Sequence, residues 1–189
     1  MKTLKTFALV FSTVALFTSC SDDDNKATPV NEEEVISTVK VTLTNGANVI
    51  TLIQRDLDLD GPNEPVITGG TLQANTTYTG VVQLLNETED PIEIVSEEIE
   101  ESDKEKRDHQ FFFAAIPSLL GTFSYTDEDS NGNPIGLNFT FTTGAASTGD
   151  LSVILKHLPN KSAPNVSSGD ITNAGGSTDA EAIFPITIE

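Results

Sequence analysis

The chain has 189 residues, with 10 Lys+Arg against 29 Asp+Glu and a formal net charge of -19. Charge of that sign repels nucleic acid and anionic headgroups, which excludes nucleic acid as an expected partner. One Cys excludes an internal disulfide, two His and no Trp leave a thin palette for catalysis, and 37% hydrophobic content is enough for a core.

Residues 1–19 read as an export signal peptide. Lys2 and Lys5 supply the positive start, and FALVFSTVALF (residues 7–17) supplies the apolar run. That run is about half the ~20 residues a membrane-spanning helix needs. It closes on Phe17-Thr18-Ser19-Cys20, which looks like a lipobox, the motif in bacterial lipoproteins whose Cys is acylated and becomes N-terminal. Phe17 stands where Leu is usual, but the placement of the single Cys at the end of the apolar run reinforces the reading. Acyl chains contribute ~0.8 kcal/mol per buried CH₂, so a multiply acylated Cys20 is expected to anchor the chain to a membrane. Ser21, Asp22, Asp23 and Asp24 follow directly. This acidic run resembles the surface-export signal of Bacteroidota lipoproteins; a merely solvated tether is the other reading. Residues 20–34 thus form a lipidated Cys plus acidic tether, ending in Glu32-Glu33-Glu34. The expected location is the outer membrane, lipid-anchored and cell-surface exposed, with the periplasmic face as the alternative.

Residues 35–189 read as a single domain. Val39, Val41 and Leu43 alternate with Lys40, Thr42 and Thr44, the period of a half-buried strand. Asn45-Gly46 then signals a hairpin into a strand over 48–54. Further strands are expected over 66–73 (interrupted by Gly69-Gly70), 77–86, 110–115, 122–126, 137–143, 151–157 and 180–189. Pro185 suggests an edge position for the last. Phe111-Phe112-Phe113 places apolar groups on both faces of its strand, which reads as a central buried strand rather than an aromatic contact surface. About nine short strands separated by turn residues predict an all-β fold, an antiparallel β-sandwich of immunoglobulin-like type, with a barrel as runner-up. One segment differs. Asp90, Pro91 and Glu93 have the layout of a helix start, and Ile92, Val95 and Ile99 recur at helical spacing, predicting one short helix near 91–101, with a strand pair as the alternative.

Two acidic loops carry the sharpest local signal. Asp56, Asp58 and Asp60 precede Gly61, and Asp127, Asp129 and Asn131 precede Gly132. This spacing matches the first half of an EF-hand loop, which needs oxygen ligands at positions one, three and five and a Gly at six. The twelfth position holds Ile67 or Asn138 instead of Glu, and no helix is expected after either loop. These are therefore partial calcium loops at most, and hydrophilic turns otherwise. His109 and His157 have neighbours suited to metal or base chemistry but no spacing signature. The acidic group Glu97, Glu98, Glu100, Glu101 and Asp103 reads as a solvated face. GxSxG, HExxH, P-loop and Rossmann patterns are absent from the sequence, and carboxylate pairs occur in any chain this acidic, so no enzyme is expected.

Several stretches, LNET (85–88), HQFF (109–112), NGNPIG (131–136), HLPNK (157–161) and GDITNAGG (169–176), together resemble a family of small Bacteroidota surface lipoproteins often labelled "type 1 periplasmic binding fold superfamily protein". The resemblance covers nearly the whole chain and implies a surface or periplasmic lipoprotein, with no functional residues to carry over. Its label implies two α/β lobes, whereas strand after strand in about 155 residues predicts one β-sandwich. The sequence therefore points to a lipid-anchored, non-enzymatic binding or surface-interaction module, with calcium as a candidate stabiliser. Its partners are the membrane, through the anchor, and an unidentified protein or small molecule. A ligand-binding accessory for nutrient uptake is the alternative.

Overall fold

The alternation from Val39 to Thr44 folds into strand β1 (Thr38–Asn45), with Val39, Val41 and Leu43 buried. The computed structural model describes residues 34–59 and 61–189. Cys20, Ser21, Asp22, Asp23, Asp24 and Asp60, with the whole signal and most of the tether, lie outside the described residues. β1 turns through two residues into β2 (Asn48–Arg55), with Asn45 opposite Asn48. Gly46 leads that turn at φ 58°, the backbone that matches the twist of a tight hairpin and that glycine adopts without penalty.

The other strands are β3 (Val66–Thr68), β4 (Gly70–Leu72), β5 (Thr77–Leu85), β6 (His109–Ile116), β7 (Gly121–Tyr125), β8 (Asn138–Thr143), β9 (Ser147–His157) and β10 (Ser177–Ile188). They form a six-stranded sheet in the order β3-β2-β1-β5-β8-β7 and a four-stranded sheet in the order β4-β10-β9-β6. Every pairing is antiparallel except the three-residue match of β10 with β4. The inner faces of the two sheets share one core. Leu43, Leu52, Tyr78 and Phe141 come from one sheet, and Phe111, Leu155 and Phe184 from the other. The chain is an antiparallel β-sandwich.

Among the described residues ten strands appear instead of nine because the stretch 66–73 splits at Gly69. β3 stays with the first sheet and β4 joins the second. A Cβ at Gly69 would lie 2.0 Å from the Pro185 carbonyl oxygen, so only glycine lets the chain pass this close to β10. Pro185 itself is not on an edge strand, since β10 lies between β4 and β9. Its missing N–H is tolerated for a local reason. Ile183, two residues earlier, turns its N–H away from β9 to Gln54 Oε1 at 3.2 Å, and β4 pairs only from Ile186 onward. Pro185 shares that parity, so it withholds a donor where no strand asks for one.

The helix expected over 91–101 begins later, as α1 (Val95–Glu101), and a second short helix, α2 (Asp103–Asp108), follows. Asp90 and Pro91 do not cap it. Glu93 instead exchanges both backbone hydrogen bonds with Asn86, at 3.0 and 3.2 Å, and this bridge uses the backbone groups an earlier helix start would need. The helical spacing of Val95 and Ile99 holds, and both are buried in the core. Ser102 divides the helices and caps α2, accepting from the Glu105 N–H at 3.3 Å.

The Phe111–Phe113 strand, β6, is an edge strand rather than a central one. Its two faces are nevertheless covered. Phe111 faces the shared core, while Phe112 packs with Val166 and Ala174 from the segment 158–176, which folds back over the sheet. The Phe111 N–H is capped by the Ile135 carbonyl at 2.7 Å, which blunts the open edge. Gly69→Ala should cost about 1–3 kcal/mol, the usual range for forcing atoms into a filled site. Urea unfolding should show a lower midpoint with an unchanged slope.

Candidate functional site

The long connections of the sandwich, 56–65, 86–108, 126–137 and 158–176, gather at the end where the chain enters at Glu34. The opposite end carries only the short connections 46–47, 73–76, 117–120 and 144–146. The acidic and histidine residues singled out from the sequence, where described, all lie at the elaborated end.

The loop after β7 is closed by the protein's own donors. Asp127 Oδ1 accepts from the Gly136 N–H and its Oδ2 from the Asn138 N–H, both at 2.7 Å. Asp129 is buried; its Oδ1 accepts from the Asn131 and Asn133 N–H groups at 2.9 and 3.0 Å. Its Oδ2 meets the Lys161 ammonium at 3.1 Å, and Lys161, also buried, donates on to the Lys106 carbonyl at 2.7 Å. The position a calcium ion would take beside Asp129 thus already has a cation, and Asn131 contributes its N–H. Asp127, Asp129 and Asn131 act as a hairpin brace. Desolvation raises the Asp129 carboxyl, but the Asn133 amide, Lys161 and the Asn131 amide together outweigh it and hold the group below its ordinary value. Burial pushes the Lys161 ammonium down, with Asp129 pulling against it.

The loop after β2 differs. Asp58 Oδ2 accepts from Asn63 through its backbone and side chain, at 3.2 and 2.6 Å. Asp56 Oδ1 is buried with no hydrogen-bond partner among the described residues. Desolvation and then the adjoining Asp58 carboxyl push Asp56 up. Asp58 is also desolvated, but the Asn63 donors hold it down.

The third constellation has no motif in the sequence. His109 opens β6 and His157 closes β9, and the two are direct cross-strand partners. Their rings stack at 4.8 Å with planes 13° apart. Ser177 of β10 pairs with His157 on its other side, and the register slips between Thr178 and Ala180, leaving Asp179 as the bulged residue. A bulge re-aims the side chain it carries. Here Asp179 Oδ2 comes to 3.3 Å from His109 Nε2. Ligand atoms of His109, His157 and Asp179 all lie within 4.8 Å of one another. His109 Nδ1 lies 3.0 Å from the Glu105 carbonyl one turn back, at the end of α2. Burial pushes the His109 imidazole down from its ordinary value. Glu34 joins this group: desolvation, then Glu98, Glu105 and Asp179, push its carboxyl up to about 7.

Elsewhere, half-buried Phe113, Phe123 and Tyr125 line a cavity of about 250 Å³ on the side where the edge strands β6 and β7 approach. Phe113 stacks on Phe139 at 4.2 Å, and the Tyr125 hydroxyl donates to the Phe111 carbonyl at 2.7 Å. Burial raises that hydroxyl to about 12.

No protein-family model, no curated protein and no solved structure matches the chain. Among the described residues, no helix is long and apolar enough to cross a membrane. The sequence points to both histidines but carries no signal for Asp179 or Lys161. No spacing rule finds them, since β-sheet register and a bulge make the contacts.

Asp129→Ala strands a buried ammonium and should cost about 3–5 kcal/mol, equally in millimolar calcium and in chelator. The Asp129 carboxyl is held below its ordinary value of 3.8, so its contribution is complete above that pH and lost as pH falls through the lower folded value. Unfolding from pH 7 to pH 2 should show this acid loss in the native chain and a flatter profile in the variant.

Proposed function

We propose that this chain is a lipid-anchored, non-enzymatic binding module of the outer membrane, exposed at the cell surface. The observation that carries the reading is the placement of the single Cys, Cys20, at the end of the apolar run and before Ser21, Asp22, Asp23 and Asp24. The resemblance to small surface lipoproteins points the same way. Seventeen residues separate Cys20 from the start of β1 at Thr38. At ~3.3–3.6 Å per residue they reach about 60 Å at full extension, enough to hold the sandwich clear of the bilayer. The gathering of long loops at one end of the scaffold supports a binding role, because loops on a rigid sandwich are where recognition residues collect. Calcium, as a stabiliser, falls to Asp56 and Asp58, whose carboxyls converge and keep one oxygen without a donor among the described residues.

A second reading, an accessory that hands a small ligand to an uptake system, is favoured by the Phe113–Phe123–Tyr125 cavity. At about 250 Å³ it is slightly below the ~300–1,000 Å³ usual for small-molecule sites.

Cys20→Ala should move the protein from the membrane fraction to the soluble one. Membrane retention of that variant would remove the anchor from the proposal. Replacing Asp22, Asp23 and Asp24 with Ala should leave the protein anchored but shielded from protease added to whole cells. For calcium, a rise in unfolding temperature with the ion and not with magnesium, lost in Asp58→Ala, is the expected result. At a hundredfold excess over Kd the stabilisation is about 2.7 kcal/mol.

A further inference from the structure

We propose that His109, His157 and Asp179 form a binding site for a divalent first-row transition ion, with Zn²⁺ the ion best suited to the donor set. The inference goes beyond the anchored-module reading and does not depend on the anchor.

The donors argue for the class of ion. Two imidazoles and one carboxylate suit zinc and its neighbours, whereas calcium and magnesium prefer oxygen alone. Three protein ligands with the fourth position left to water is an arrangement in which zinc is commonly held. The separations argue for the geometry. With bonds of about 2.0 Å, two ligand atoms on a tetrahedron lie about 3.3 Å apart. His109 Nε2 and Asp179 Oδ2 stand at 3.3 Å. No separation in the group exceeds 4.8 Å, so the third donor has to close by at most about 1.5 Å to complete a tetrahedral face. The two side chains that would move are the less buried ones: His157 is half-buried and Asp179 belongs to the bulge, while His109 is buried and fixed.

His109 is also oriented as a ligand. The Glu105 carbonyl can only accept, so the 3.0 Å contact puts the proton on Nδ1 and leaves the Nε2 lone pair directed at Asp179. A backbone carbonyl that fixes the far nitrogen is the usual support of a metal-bound histidine. A lone pair and a carboxylate oxygen at 3.3 Å repel unless a positive charge lies between them. A proton or a metal ion satisfies that pair, but only the metal ion also gains the third donor, His157. The Glu105 carboxylate, 3.6 Å from His109 Nδ1, adds an attractive field for a dication. Asp179 also lines a cavity of about 230 Å³ with Gln54 and Asp56, which gives an ion a route from solvent.

The test uses the full chain, purified in detergent and stripped with chelator. Calorimetric titration with Zn²⁺ should show one ion per chain, bound at least about tenfold more tightly than Ca²⁺ or Mg²⁺. Co²⁺ in its place should give the intense visible bands of a tetrahedral site containing nitrogen. His157→Gln and Asp179→Asn each remove a ligand and should weaken Zn²⁺ binding by at least the about 10–100-fold typical of losing an outer-shell partner, while the metal-free unfolding midpoint stays in place. Zinc binding that survives both substitutions, including any at a free Cys20 thiol, would overturn the proposal. So would zinc affinity no greater than calcium affinity. Should either variant fold poorly, the Co²⁺ spectrum of the unmodified chain decides: weak octahedral bands overturn the site. Because the readout is binding in detergent, its failure leaves the fractionation result for Cys20→Ala untouched.

Discussion

The register of β9 against its two neighbours is the constraint on which the rest of the elaborated end depends. β9 holds β6 on one side and β10 on the other over most of its length. That pairing fixes His157 opposite His109, and it forces the extra residue of β10 to emerge at Asp179. A slip of one residue between β6 and β9 would send the histidines to opposite faces of the sheet, and a slip between β9 and β10 would carry Asp179 away from them. The same pairing holds β6 at the sheet edge, where Gln110 donates to the Val166 carbonyl at 2.9 Å and ties down the segment 158–176. That segment in turn brings Lys161 under Asp129. One ladder therefore organises both the histidine cluster and the braced hairpin.

The two acidic loops show how the same spacing meets different fates. Both offer Asp-x-Asp-x-[Asp/Asn]-Gly. In the second, a lysine 32 positions away from Asp129 supplies the positive charge that an ion would otherwise bring. In the first, Asn63 satisfies Asp58 while one oxygen of Asp56 has no donor among the described residues. Local sequence sets the turn; whether a turn is braced or left with an unpaired oxygen depends on what a distant element carries past it.

Much of the fold is legible in the sequence because strand periodicity is a local property. The alternation in β1, the Asn-Gly hairpin and the runs that become β5 and β8 all rest on neighbours one or two residues apart. The misplacements are non-local in origin. Pro185 looks like an edge marker, but its position reflects how short β4 is. The double-sided apolar pattern of the Phe111 strand looks central, whereas its second face is buried by a loop. The helix start at Asp90 loses to a bridge between Asn86 and Glu93. The site is the least legible region. Asp179 sits in an ordinary polar stretch, and only the bulge gives it a partner.

The way the chain enters the sandwich has a mechanical consequence. Glu34 leads into β1, which lies between β2 and β5 with eight register pairs on one side and seven on the other. A pull transmitted along the chain ahead of Glu34 would load those two ladders along the strand axis, so that many hydrogen bonds share the force at once. Were the chain to enter instead through an edge strand and the force to act across it, the bonds would break in succession. Force applied at that entry point would therefore meet two ladders in shear and not open either one bond by bond.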